Sequence, residues 1–277
     1  VTLTRAEVRR LLDENGLAPS RARGQNFVVD PNTVRRVARL AGVGPGDRVV
    51  EIGAGLGSLT LALAATGASV TAVEVDGGLV PVLREVVEPA GVTVVEGDAL
   101  RLEWSSLLEG IGWVLVANLP YNVATPLIAD LLDGVPAISR MLVMVQREVG
   151  ERLAAHAGDE AYGSVSVKVA YWATAKMVGR VPPTVFHPMP KVESALVSIE
   201  RRATPAVGSE VERDWLFHLV GTGFGQRRKM LRRSLAGLVD ADAFVAAGVR
   251  PEARAEELSV EEWGRLAACT SSEPPPS

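Results

Sequence analysis

The sequence predicts an α/β fold: a parallel β-sheet covered on both faces by helices, followed by a small all-helical C-terminal domain. Three observations carry that expectation. Short β-branched runs alternate with helical segments from Arg48 to about Ala155, the pattern of repeated strand–helix–strand units. The first of these runs passes into the glycine-rich turn Gly53-Ala54-Gly55-Leu56-Gly57 before a helix. Beyond Arg202 the strand signal ends, and Asp214 to Ala268 carries helical spacing only.

Each element follows from local chemistry. Arg5 to Glu14 reads as a short helix closed by the turn at Asn15-Gly16. Arg21 to Phe27 is a polar loop with basic residues. Asp30 is an N-cap with Pro31 in the first turn, and Val34, Val37, Ala38 and Ala41 follow at helical spacing,. Strands are predicted over Arg48–Ile52, Ser69–Glu74, Val92–Glu96, Trp113–Ala117 and Met141–Val145, with helices between them. Val165–Ala173 and Ser194–Glu200 are two further strand candidates for an antiparallel edge. The linker-like Ala203–Ser209 divides the chain into residues 1–202 and 203–270, with residues 271–277 as a disordered tail.

Composition narrows the function classes. The chain has 277 residues, of which 47% are hydrophobic and 22% charged, enough apolar material for a globular core. Its net charge of −4 excludes a uniformly basic nucleic-acid binder but not a local basic patch. One cysteine, Cys269, excludes a disulfide framework and a cysteine zinc cluster,. His156, His187 and His218 are scattered, so no metal is expected. No apolar run approaches the ~20 residues of a membrane span, and the first residues lack a signal-peptide core. A soluble, cytoplasmic monomer is the expectation.

The glycine turn has two readings: a tight strand-to-helix connection that needs glycine for packing, or a backbone cradle for a ligand. Its spacing is G-x-G-x-G, not the G-x-G-x-x-G of the dinucleotide fingerprint. Glu74 ends the second strand, where an acidic side chain can accept both hydroxyls of a ribose. Asp98 follows the third strand on the same sheet edge. No basic residue sits in the turn to meet a pyrophosphate. Together these favour a nucleoside without phosphates, S-adenosylmethionine, over a nicotinamide dinucleotide.

The fourth strand runs into Asn118-Leu119-Pro120-Tyr121, an [N/D]-x-P-[Y/F] tetrad of the kind that marks amino-group methyltransferases. A conjugated exocyclic amine is a poor nucleophile because its lone pair is delocalised. Acceptors on its two N–H bonds favour the pyramidal geometry that frees the lone pair. The Asn118 side-chain oxygen and a backbone carbonyl at Leu119 or Pro120 can supply them. Pro120 stiffens the turn, and the Tyr121 ring can stack on an extruded base.

At this point the chain resembles the ribosomal RNA adenine N6,N6-dimethyltransferases that modify small-subunit RNA. The match runs from about Arg23 to Leu266. It rests on Gly24-Gln25-Asn26-Phe27, Glu51 to Gly57, Glu74, Gly97-Asp98, Asn118 to Asn122, Val185 to Val192 and Phe224 to Lys229. The resemblance implies a Rossmann-like methyltransferase domain with a helical RNA-binding domain. It implies that Asn26, the Val28 backbone, Gly53, Gly55, Glu74, Asp98 and Asn118 hold S-adenosylmethionine. It also implies that Phe186 faces Tyr121 across the target adenine, although an aromatic in that proline-rich loop can equally pack into a core.

Arg227, Arg228, Lys229, Arg232 and Arg233 crowd a predicted helix with no acidic residue among them. They form either a solvated face or, because like charges on one helix repel, a phosphate-binding surface; Arg21, Arg23 and Lys191 would extend such a track. The expected activity is dimethylation of two neighbouring adenines in small-subunit ribosomal RNA during ribosome biogenesis. The competing expectations are a large-subunit adenine methyltransferase of the antibiotic-resistance type and a non-catalytic assembly factor on the same fold.

Overall fold

The structure, a computed structural model, describes residues 2–20 and 23–270. The expected tail and Arg21 lie outside the described residues. In chain order the elements begin with α1 (Arg5–Glu14), β1 (Phe27–Val28), α2 (Pro31–Ala41), β2 (Arg48–Ile52), α3 (Ser58–Ala64), β3 (Ser69–Glu74), α4 (Val80–Val87), β4 (Thr93–Glu96) and α5 (Trp104–Leu107). They continue with β5 (Trp113–Asn118), α6 (Ala124–Gly134), β6 (Ile138–Gln146), α7 (Arg147–Leu153), α8 (Ser164–Trp172), β7 (Ala173–Val181), β8 (Phe186–His187) and β9 (Ser194–Arg201). The last four are α9 (Arg213–Gly225), α10 (Leu231–Ser234), α11 (Ala241–Ala247) and α12 (Val260–Ala268).

Seven strands form one sheet in the order β4-β3-β2-β5-β6-β9-β7. The first five run parallel, and β9 lies antiparallel to β6, with Met141 opposite Ile199 and Gln146 opposite Ser194. Strands covered on both faces are apolar along their whole length: Val114, Leu115, Val116 and Ala117 of β5 are all buried. From β2 the chain builds outward through β3 and β4, then returns to place β5 on the other side of β2. Ligands bind outside the carboxyl ends of strands at such a reversal. A separate antiparallel pair joins β1 to β8, with Phe27 opposite His187 and Val28 opposite Phe186.

The turn from β2 to α3 needs its glycines. Gly53, Gly55 and Gly57 all have positive φ, at 74°, 60° and 87°. A Cβ on Gly57 would overlap Val87 of α4, and one on Gly55 would stand 3.0 Å from the Phe27 ring. The backbone therefore passes close to both α4 and the first loop, as only glycine allows.

The chain divides into two compact units. One comprises the chain up to Gly150 together with Lys176–Arg201; the other comprises Glu151–Ala175 and the chain from Arg202 onward. The sequence reading drew a single boundary at residues 202–203; the structure also assigns 151–175 to the second unit. The reason is α8. Val165–Ala173, expected as a strand, is a helix up to Trp172, and the edge strand is β7 instead. Val167 and Tyr171, four residues apart on α8, enter a core with Leu216, Leu219, Phe244 and Trp263. Ser166 Oγ accepts from the Gly163 N–H and donates to the Arg152 carbonyl. Helical packing overrides the β propensity of alternating valines.

Candidate active site

Two cavities lie along the carboxyl ends of β2, β3 and β5 and share Arg23, Gly53, Val75 and Pro120 on their walls. The first is also lined by Asn26, Val28, Gly55, Glu74, Asn118, Leu119 and Tyr121. The second carries Asp98, beyond the end of β4. Every residue expected to hold the methyl donor therefore lines this pair of cavities.

Glu74 organises the middle of the site. One carboxyl oxygen accepts from the Gly55 N–H at 2.7 Å. The other accepts from Val75 and Asp76 at 3.0 and 2.9 Å. Burial pushes its pKa up, the bonds from Asp76 and Gly55 pull it down, and the Asp76 charge adds to the rise. The first loop closes over this edge: Gln25 Nε2 donates to Asp76 at 2.8 Å, and Arg23 forms an ion pair with the same carboxylate. Desolvation raises the Asp76 carboxyl, but Arg23 and Gln25 overcome it and hold the group below its ordinary value. Arg23, expected to extend an RNA track, is thus committed to the cavity wall.

The tetrad is held in a defined pose. Asn118 Nδ2 donates to the Asn26 carbonyl at 3.0 Å, which fixes which end of the amide is oxygen. Among the described residues nothing donates to Asn118 Oδ1. The Pro120 carbonyl is used by the first turn of α6, accepting from Val123 and Ala124 at 3.2 Å each. No described group donates to the Leu119 carbonyl. Of the two carbonyls the sequence left open, Leu119 is the one with free acceptor capacity. The Leu119 side chain itself is buried, and its N–H donates to Met144 at 3.0 Å.

Tyr121 Oη lies 2.8 Å from the hydroxyl of Ser194, a fully buried residue at the start of β9. Burial raises the Tyr121 pKa and the Ser194 bond opposes it, so the phenol stays neutral. Ser194 was not legible as a site residue, because it joins Tyr121 only through the pairing of β9 with β6. Removing this hydroxyl should free the ring. Ser194→Ala is expected to lower kcat about 3- to 10-fold, the worth of one ordinary hydrogen bond, with unchanged donor affinity. Tyr121→Phe should match it, and the double variant should be no worse, in a double-mutant cycle on single-turnover rates.

For Phe186 the sequence left two readings, a face opposite Tyr121 and a place in a core. It is 1% exposed and packs in the main core with Val28 and Leu196. It is not among the residues that line the two cavities. Its backbone pairs with Val28. Phe186→Ala should therefore cost about 3–5 kcal/mol of stability, measured as a lower midpoint in denaturant.

The five basic residues are all exposed, but they do not share one helix. Helix α9 ends at Gly225, and Arg227, Arg228 and Lys229 lie in the turn before α10, which carries Arg232 and Arg233. Gly225-Gln226 and the pairing of Met230 with Arg254 break the helix there. Arg227 pairs with Glu256, Arg232 with Glu252, and Lys229 donates to Gln226. Arg228 and Arg233 have no acidic partner among the described residues. Lys191 is exposed on a loop of the first unit.

The cavity fits a nucleoside with an unphosphorylated, cationic tail. Its acceptors are carboxylates, an amide oxygen and a free carbonyl, and the one basic side chain among its described residues, Arg23, is already paired. Among the described residues no group of three or more His, Cys, Asp or Glu side chains could hold a metal ion. None of the described helices is long and apolar enough to cross a membrane.

Comparison with known proteins agrees with this chemistry. A family model described as "Ribosomal RNA adenine dimethylase" matches residues 20–271. The chain is 46% identical to "Ribosomal RNA small subunit methyltransferase A" of Thermobifida fusca, over 96% of this chain and 95% of that one. It is 47% identical to the protein of the same name from Leifsonia xyli, over 95% and 96%. Among solved structures it is similar to the 23S rRNA methyltransferase ErmE, with a TM-score of 0.67 and 27% identity over 88% of this chain and 99% of that one. A dimethyladenosine transferase from Plasmodium falciparum shares the fold, with a TM-score of 0.73 and 23% identity over 87% and 95%. With acidic strand ends and the tetrad lining adjoining cavities, the chain belongs to the ribosomal RNA adenine dimethylase family of S-adenosylmethionine-dependent methyltransferases.

Proposed function

We propose that this protein dimethylates N6 of two neighbouring adenines in small-subunit ribosomal RNA, in the cytoplasm and as a monomer. The observation that carries the chemistry is the anchored Asn118 amide. Its Nδ2 is used by Asn26, which leaves Oδ1 and the Leu119 carbonyl as two acceptors with no donor of their own. These two oxygens accept the N–H bonds of the target amine and aim its lone pair. The Tyr121 ring, tethered to Ser194, offers a face for the extruded base,. S-adenosylmethionine, when bound, supplies an electrophilic methyl group on a sulfonium. Glu74 holds the ribose, Asp98 the adenine end of the donor, and Asn26, Val28, Gly53 and Gly55 shape the wall between them. Orientation and exclusion of water supply most of the rate.

The names of the relatives at 46–47% identity favour the small subunit; the ErmE likeness keeps the large subunit as the competing target. The test is methyl transfer from labelled S-adenosylmethionine to unmethylated small and large subunits, assayed separately. Label confined to small subunits and digesting to dimethyladenosine supports the proposal; label on large subunits reassigns the target, and none on either leaves an assembly role without catalysis.

The helical unit is proposed as the RNA-binding domain through its exposed basic cluster. Arg228 and Arg233 carry charges not offset by a described acidic partner, unlike Arg227 and Arg232. Arg228→Ala and Arg233→Ala should each weaken RNA binding and each flatten the slope of log K against log salt by about one. Arg227→Ala should have a smaller effect, because Glu256 already neutralises it. Affinities measured from about 50 to 200 mM salt check this order.

A further inference from the structure

Gln146 closes β6, and its side-chain amide has no hydrogen-bond partner among the described residues. It is half-buried. Side chains paired across strands share a face of the sheet, and so do residues two apart along one strand. Asn118, at the end of β5, is opposite Met144. Ser194 of β9 is opposite Gln146, and Leu196 is opposite Met144. These five residues therefore share one face. Met144 and Leu196 are sealed in the core. Gln146 and Ser194 are the next pair, at the carboxyl end of β6, and the Ser194 hydroxyl is taken by Tyr121 Oη at 2.8 Å.

The order of the strands puts this amide beside the Tyr121 ring. Tyr121 follows β5, yet its hydroxyl reaches β9, and β6 lies between those two strands. The ring therefore crosses the end of β6, where Gln146 stands. A base stacked on that ring, with its amine at Asn118, presents an edge to Gln146. The Asn118 Oδ1 and Leu119 carbonyl acceptors recognise an amine, but a cytosine amine satisfies them as well as an adenine amine does. An amine beside an N7 acceptor is found in adenine alone among the four bases. Selecting adenine thus needs a donor on this face. Asn118 Nδ2 is taken by the Asn26 carbonyl, which leaves Gln146 Nε2.

We propose that Gln146 reads the target base, its Nε2 donating to N7 of the adenine whose amine is held by Asn118 and Leu119. The inference rests on the tetrad reading above and concerns a residue that the methyl transfer itself does not use. A base without that acceptor leaves the amide unpaired in a site closed to water, which is how a polar group rejects an analogue lacking its partner.

The test is single-turnover methyl transfer by the full chain to unmethylated small subunits reconstituted with RNA carrying adenine, 7-deazaadenine or 1-deazaadenine at the acceptor positions. Wild-type protein should be about 10-fold slower on 7-deazaadenine, the effect of one hydrogen bond lost with its donor left unpaired. Gln146→Met should be about 10-fold slower on adenine and lose nothing further on 7-deazaadenine, the signature of a direct contact. Gln146→Glu is the second variant: its carboxylate repels N7, so it should methylate 7-deazaadenine faster than adenine. Both variants should bind S-adenosylhomocysteine as wild type does. A merely structural role would slow all three RNAs alike. Equal wild-type rates on adenine and 7-deazaadenine overturn the inference, even if neither variant folds. So does a loss from 7-deazaadenine that is the same in wild type and both variants, or a Gln146-dependent loss confined to 1-deazaadenine. Failure of the wild-type protein to methylate the adenine RNA overturns the target reading and this inference together.

Discussion

Asn118→Ala should lower the rate of methyl transfer about 10²- to 10³-fold, the usual cost of removing one preorganised polar group from the reacting atoms. The substitution removes the Oδ1 acceptor and also the Nδ2 bond to the Asn26 carbonyl. The expected result is a loss in kcat measured by single turnover on unmethylated small subunits, with RNA affinity unchanged. Asn118→Asp separates the two contributions. It keeps an acceptor but replaces the donor to Asn26 with a charged oxygen, so the first loop should be displaced and donor affinity should fall as well. An Asn118→Ala variant with wild-type turnover would remove the amine-aiming role from this residue.

Glu74→Ala carries the second large effect. Each charged hydrogen bond is worth about 1.5–3 kcal/mol, and a ribose offers two hydroxyls, so donor affinity should fall by at least about 10²-fold. The side chain also ties Gly55, Val75 and Asp76 together through three N–H bonds. Those donors would be left bare, and the glycine turn should loosen. The variant should therefore lose stability as well as affinity, visible as a lower melting temperature without ligand and little gain when S-adenosylhomocysteine is added. Equal ligand-induced stabilisation in wild-type and variant protein would exclude Glu74 from the ribose site.

The parts of this account legible in the sequence are those set by local patterns. Helix α1 and strands β2 and β3 carry the predicted bounds, because capping residues and β-branched runs mark them. The acidic strand ends and the tetrad follow from position at the end of a parallel strand. The parts the sequence left open or read differently are set by distant partners. The alternating valines of α8 follow a strand period, yet Val167 and Tyr171 meet a core supplied by residues more than forty positions later in the chain. Phe186 is buried in the main core and its backbone pairs with Val28, far earlier in sequence. Ser194 reaches Tyr121 only across a sheet. The basic run looked like one helix because charge patterning cannot show that α9 stops at Gly225. Arg23 looked free because its partner, Asp76, lies in the loop after a different strand.

The central claim is that one ligand spans the strand ends from Asp98 to Asn118. The structure of the complex with S-adenosylhomocysteine tests it most directly. The account predicts the adenine beside Asp98, the ribose hydroxyls on Glu74, and the sulfur beside Asn118 and Leu119, within reach of an amine held against Tyr121. A nucleoside bound in the reverse sense, or outside these two cavities, would contradict it.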